Sequence, residues 1–246
     1  MTPQWYGRIL VITAVEAERA AVLDGLGPAG QPSPRQPGEN REAGENREAG
    51  TATVIATVIA AGVGPAAADA NTARLLALAE AGGHPYSAVL CTGIAGGYAG
   101  RTDIGGLAIA RASVAADLGV DSPDGFIPLD GLGFGETAAP GNPTMLATMR
   151  QALPAAVVGT ILTVSTATGT SVGAGALRAR HPGAVAEAME GHGVALAAAG
   201  AGVPFGELRA ISNHVGPRDM AAWRIQPALA ALGAAFTAIV KTIEAR

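Results

Sequence analysis

This chain of 246 residues has little of several things. A single cysteine, Cys91, excludes an intramolecular disulfide and any cysteine-cluster metal site. Aromatics are 4% of the chain, so a core must be built from Ala, Val, Leu and Ile, which dominate the 49% of hydrophobic residues. Positive charge is scarce: 16 Lys and Arg face 20 Asp and Glu, and the net charge of −4 argues against a nucleic-acid partner. The first apolar run, Ile9 to Val15, is too short for a membrane span or a signal sequence and passes directly into EAER. A cytoplasmic protein with no membrane association is the expectation.

The apolar residues fall in short runs. Arg8 to Val15 (RILVITAV) reads as a buried strand, followed by a helix, EAERAAVLDGLG. Thr51 to Gly64 reads as a long strand ending in glycines, and Pro65 to Ala81 as a helix with proline in its first turn. Further strands are expected at Ser87 to Thr92, Leu107 to Val114, Gly159 to Ser165 and within ELRAIS (Glu207 to Ser212). Helices are expected at Thr144 to Leu153, after Glu190 and at Pro227 to Glu244, whose Leu229, Leu232, Phe236, Ile239 and Ile243 form one stripe. Strands alternating with helices predict one domain, a three-layer α/β/α sandwich around a central mixed, mostly parallel sheet. Gln31 to Gly50 stand apart: Pro-, Gly- and Glu-rich, with ENREAG twice in tandem, they read as a flexible insertion. Asp117 to Thr137 reads as a long ordered loop.

Polar or glycine-rich segments recur where strands end: Glu16 and Glu18, Gly62 to Gly64, Gly93 to Gly97, Ser165 to Thr170, and Ser212 to Asp219. Ligands bind at the carboxyl ends of strands in open α/β sheets. The stretch from Ala186 to Asp219 gathers most of the chemistry, with Glu187, Met189 and Glu190 placed at the start of a helix. A pocket of carboxylates and backbone amides suits a neutral substrate with several hydroxyls. One carboxylate can activate water and another can grip vicinal hydroxyls, as in glycoside chemistry. Glu18 and Glu190 equally fit first-turn glutamates that complement a helix dipole. Arg209, in a buried strand, needs an anionic partner, for which Glu18 and Glu16 are candidates. His84, His181, His192 and His214 lack metal-ligand spacing, so no metal is expected. GVGPAA (Gly62 to Ala67) matches a dinucleotide fingerprint, but the next strand ends without the acid that would bind ribose, so no nucleotide cofactor is expected.

AVEAE (Ala14 to Glu18), AAGVGPAAA (Ala60 to Ala68), CTGIAGG (Cys91 to Gly97), AMEG (Ala188 to Gly191) and RAISN (Arg209 to Asn213) follow one another in the order and spacing of the purine nucleoside phosphorylases and nucleosidases, a family the chain resembles over nearly its whole length. Within it, DLGVDSPDGF (Asp117 to Phe126) and SNHVGPRD (Ser212 to Asp219) resemble the futalosine hydrolases of an alternative menaquinone pathway. The resemblance implies hydrolysis of an N-glycosidic bond to release hypoxanthine, without a cofactor. It makes Glu18 the residue that activates water, with Arg209 holding that carboxylate and water. It makes Met189 and Glu190 the ribose pair and places Val63 near the sugar. Ile94, Ala95 and Gly96 pass by the base and the nucleophile; Thr168 and Gly169 offer main chain to the purine. Ser212 and Asn213 complete the base end. Asn213 stands where adenine-specific relatives carry Asp, and an amide has both a donor and an acceptor, which points toward a 6-oxopurine.

The glycine loop GVGPAAA offers no cation or hydroxyl to a phosphate, so water is the expected nucleophile. A 6-oxopurine phosphorylase, an inosine-type hydrolase or a silent nucleoside-binding protein are the alternatives. Arg101 or Arg218 could meet a carboxylate on the substrate's 5′ side, and Asp219 or water could protonate the base. The resemblance also implies a homodimer or higher homo-oligomer, with Asp117 to Phe134 as the contact.

Overall fold

Alternate residues of the first strand face opposite layers, and this sets the architecture. The computed structural model describes residues 7–27 and 55–245. The proposed insertion at Gln31 to Gly50 lies outside them. In β1 (Arg8–Thr13), Ile9 and Val11 enter one core cluster, whereas Leu10 and Ile12 enter another on the far side. The first cluster is closed by α1 (Glu16–Leu26), α3 (Pro143–Ala152) and α6 (Ile225–Glu244), the second by α2 (Pro65–Ala81) and α5 (Gly191–Gly200). This is the expected sandwich, filled mainly by aliphatic side chains. By length and composition α6 could cross a membrane; here Leu229, Leu232, Phe236, Ile239 and Ile243 are buried in the first cluster, and apart from Ile225 its exposed residues are polar or small.

The sheet is mixed. β1 pairs in parallel with β2 (Ile55–Ala60) and β3 (Ala88–Gly97). β3 is also parallel to β10 (Phe205–His214), and β4 (Leu107–Ala115), β8 (Val157–Thr163) and β9 (Ala184–Ala188) are parallel to one another in sequence. β10 meets β4 antiparallel, and β3 meets β9 antiparallel at Gly96 and Gly97. These last pairings close β3, β10, β4, β8 and β9 into a ring, where the sequence predicted an open sheet. The ring closes because β3 is ten residues long: it runs beside β10 and still reaches β9 with its glycine tip. The interior is filled by small side chains, among them Ala95, Ala108, Ala110, Ala186 and Ala188, with Ile161 and Ile211. Cores this narrow leave no room for aromatic rings.

Five elements lie where the sequence predicts none. β9 carries Glu187, so this residue ends a strand and does not begin a helix. Helix α4 (Ser171–Arg180) starts within a stretch read only as small and polar, where the Thr170 hydroxyl caps Gly173 N–H at 3.0 Å. Inside the long loop, β5 (Gly119–Ser122) and β6 (Gly125–Pro128) form a hairpin, and β7 (Ala138–Pro140) adds to β4. By contrast α2 occupies the predicted residues, and α3 differs by one, its Asn142 cap accepting from Thr144 N–H and Met145 N–H.

Candidate active site

A cavity of about 280 Å³ opens where the tips of β3 and β9 meet, walled also by the ends of β1 and β10. Glu18, Val63, Ile94, Ala95, Gly96, Thr168, Gly169, Met189, Glu190, Ser212 and Asn213 all line it. Arg209 lies behind the wall, fully buried.

Glu18 is the third residue of α1, in the turn whose N–H groups lack helical partners. Its carboxylate turns back to accept from Ala14 N–H at 2.9 Å and Val15 N–H at 3.3 Å, and reaches across to Ile94 N–H at 2.8 Å. Gly93 makes that reach possible: a side-chain carbon there would fall 2.5 Å from the nearer carboxylate oxygen. Glu16, two residues earlier, faces solvent and pairs with Arg19 at 2.6 Å.

Glu190 stands at the residue just before α5, its side chain making no cap bond to the helix, and is held differently. It accepts from Gly64 N–H at 3.2 Å, on the glycine loop, and from the Arg209 guanidinium at 3.2 Å. Arg209 also donates to Glu207 at 2.9 Å and to the Cys91 sulfur at 3.1 Å. Neither Glu18 nor Glu16 pairs with Arg209, contrary to the sequence expectation. Its partners are the residue two positions back on the same face of β10 and Glu190 above it. Burial alone would favour a neutral Arg209, but the negative charge around it outweighs this and holds it firmly protonated. Burial pushes the Glu207 carboxyl above its ordinary range, opposed by Arg209 and Ser113, and pushes the Cys91 thiol up as well. Gly191 lets α5 begin directly over this pair, since a side-chain carbon there would fall 2.4 Å from both Glu207 carboxylate oxygens.

At the other end of the cavity, β10 carries a bulge. Ile211 pairs with Ala95 and Asn213 with Gly96, leaving Ser212 as the extra residue and re-aiming Asn213 and His214. Asn213 accepts from the Ser212 hydroxyl at 2.7 Å and donates to the His214 carbonyl at 3.0 Å. Thr168 is committed too, because its N–H and hydroxyl donate to Glu187 at 2.8 and 2.7 Å. That main-chain donor, expected to meet the purine, is therefore taken by a carboxylate that the sequence reading had not assigned to the substrate. Arg218 and Trp223 also stand on the cavity wall, the guanidinium 5.3 Å from the ring centroid, whereas Arg101 is exposed and outside it. Asp219 caps Ala221 N–H at 3.1 Å and does not line the cavity.

The phosphorylase superfamily profile matches residues 8–243. The chain belongs to the phosphorylase superfamily. Two curated relatives in it are named futalosine hydrolase. The one from Streptomyces coelicolor is 47% identical over 96% of this chain and 96% of its own; that from Acidothermus cellulolyticus is 50% identical over 94% and 89%. Among solved structures, the 5′-methylthioadenosine/S-adenosylhomocysteine nucleosidase of Colwellia psychrerythraea, in complex with adenine, superposes with a TM-score of 0.73 at 18% identity, covering 98% of this chain and 97% of that one. At that identity the likeness establishes the superfamily fold.

Proposed function

We propose that this chain is a futalosine hydrolase, which cleaves the N-glycosidic bond of futalosine to give hypoxanthine and dehypoxanthine futalosine in an alternative menaquinone pathway. The observation that carries the reading is the pair of differently held glutamates around one cavity, in a chain about half identical to two futalosine hydrolases. The bond from the anomeric carbon to N9 lengthens first, and its electron pair leaves with the base. Glu190 holds the ribose hydroxyls while Met189 packs on the sugar. Glu18 takes a proton from a water molecule as its oxygen bonds to the anomeric carbon. That proton balances the one the base acquires from solvent. Arg209 acts through Glu190 by fixing the carboxylate's position. No cofactor or metal enters these steps.

Arg218, beside Trp223 on the wall, is the group for the substrate's benzoate, in preference to Arg101. The hairpin loop leaves Leu118, Val120 and Phe134 exposed, and a second copy of the chain covers them in a homodimer. The protein works in the cytoplasm as a single domain. The test is base release from futalosine, inosine and methylthioadenosine, with and without phosphate. Hypoxanthine from futalosine, indifferent to phosphate, is the expected result. Strict dependence on phosphate would place the chain among phosphorylases, and adenine from methylthioadenosine would refute the base assignment.

A further inference from the structure

Glu187 is a carboxylate in a stretch of cavity wall it shares with Gly96, Ala167, Thr168, Gly169 and Ala188. It is 7% exposed, and it lines the cavity. β9 holds it rigidly: it pairs with Gly96 on one side and Leu162 on the other. Its partners are Thr168 N–H at 2.8 Å, the Thr168 hydroxyl at 2.7 Å and the Tyr98 hydroxyl at 3.4 Å. All three donate, so the carboxylate is arranged as an acceptor, and two oxygens have more lone pairs than three donors use. A carboxylate buried without purpose is costly, which makes its place on the cavity wall informative. The Asn213 amide, meanwhile, is turned onto Ser212 and His214.

We propose that Glu187 selects the base, its carboxylate accepting the N1–H of a 6-oxopurine. The inference rests on the futalosine reading and extends it to the purine's six-membered ring. A 6-oxopurine carries a hydrogen on N1 and offers a donor there. A 6-aminopurine has a lone pair at N1, which an acceptor repels. Sites built to bond one partner reject the analogue that lacks the complementary group by large factors. Thr168 and Tyr98 are positioning residues in this scheme, aiming the free lone pair into the cavity.

The experiment measures kcat/KM on futalosine and on its 6-amino analogue, for the unaltered chain and for Glu187→Gln. Glutamine keeps the shape and turns an amide donor toward N1. The preference for futalosine is expected to fall by at least ~100-fold, with an absolute gain on the 6-amino analogue. A gain cannot come from structural damage. Equal losses on both substrates would overturn the proposal and leave Glu187 a structural residue. Where the variant does not fold, 15N-labelled hypoxanthine bound to the unaltered chain reports the same contact. The N1 proton is expected downfield and slow to exchange; exchange at the free-solution rate refutes the contact. If the unaltered chain released no hypoxanthine from futalosine, the parent reading would fail, and the binding spectrum would still decide this one.

Discussion

The β1–α1 and β9–α5 turns each put a buried glutamate into the start of a helix, and the two glutamates are held by opposite means. Among the described residues Glu18 is gripped by three backbone N–H groups and no charged partner, whereas Glu190 shares its charge with a guanidinium that no water reaches. Neutral dipoles fix the position of a carboxylate without pairing it to a cation, which suits the proton-accepting role proposed for Glu18. A permanent cation on one oxygen, with the Gly64 N–H on the other, holds a carboxylate still, which suits the ribose-binding role proposed for Glu190. The difference shows that residue type and helix position alone do not fix how a carboxylate is held; its partners do.

Replacing Glu18 by glutamine attacks the first arrangement. Turnover is expected to fall about 10²–10⁴-fold while binding of a non-hydrolysed nucleoside changes little, as measured by hypoxanthine release and calorimetry. Normal turnover would refute the mechanism. Arg209→Met attacks the second arrangement and strands Glu207 in the core. Unfolding in urea should show a loss of roughly 3–5 kcal/mol, because an unpaired buried charge remains. Glu190→Gln keeps the shape and removes the charge; kcat/KM should drop roughly 10–100-fold, the worth of a charged hydrogen bond. An unchanged value would sever Glu190 from the ribose.

A fourth test uses pH. Burial raises the Glu187 carboxyl above its ordinary 4.5 in the folded chain, against the donors that oppose it. A raised carboxyl contributes stability below the unfolded value, and this is lost as pH rises through the folded value. The unaltered chain should therefore lose stability relative to Glu187→Gln as pH climbs from about 4.5 toward neutrality. A pH-independent difference would contradict the burial. The smallest effect is expected at Glu16→Gln, which breaks only the exposed pair with Arg19: under ~1 kcal/mol, with unaltered kcat/KM. This control separates a first-turn glutamate that faces solvent from one that faces the cavity.

Much of this was legible in the sequence, for local reasons. α2 is encoded by its proline start, and the candidate residues that line the cavity sit at strand ends where turn chemistry is visible. What was not legible is non-local or weakly encoded. β9 reads AVAEA, and alanine gives little signal for a strand. α4 begins SVGAG, poor in helix formers. The bond from Ile94 to Glu18 spans 76 positions, so no window of sequence contains it. Glu207 was within reach: two residues from Arg209 on a strand, it had to share that arginine's face.

Gly93 and Gly191 contribute no side-chain atom to the reaction, yet each is the floor on which a carboxylate rests. In a saturation library scored for activity, these two positions should tolerate substitution as poorly as the glutamates themselves. Attempts to re-engineer this pocket for another nucleoside therefore have less freedom than its alanine-lined wall suggests: the walls can be redrawn, but the empty spaces under Glu18 and above Glu207 have to be inherited unchanged.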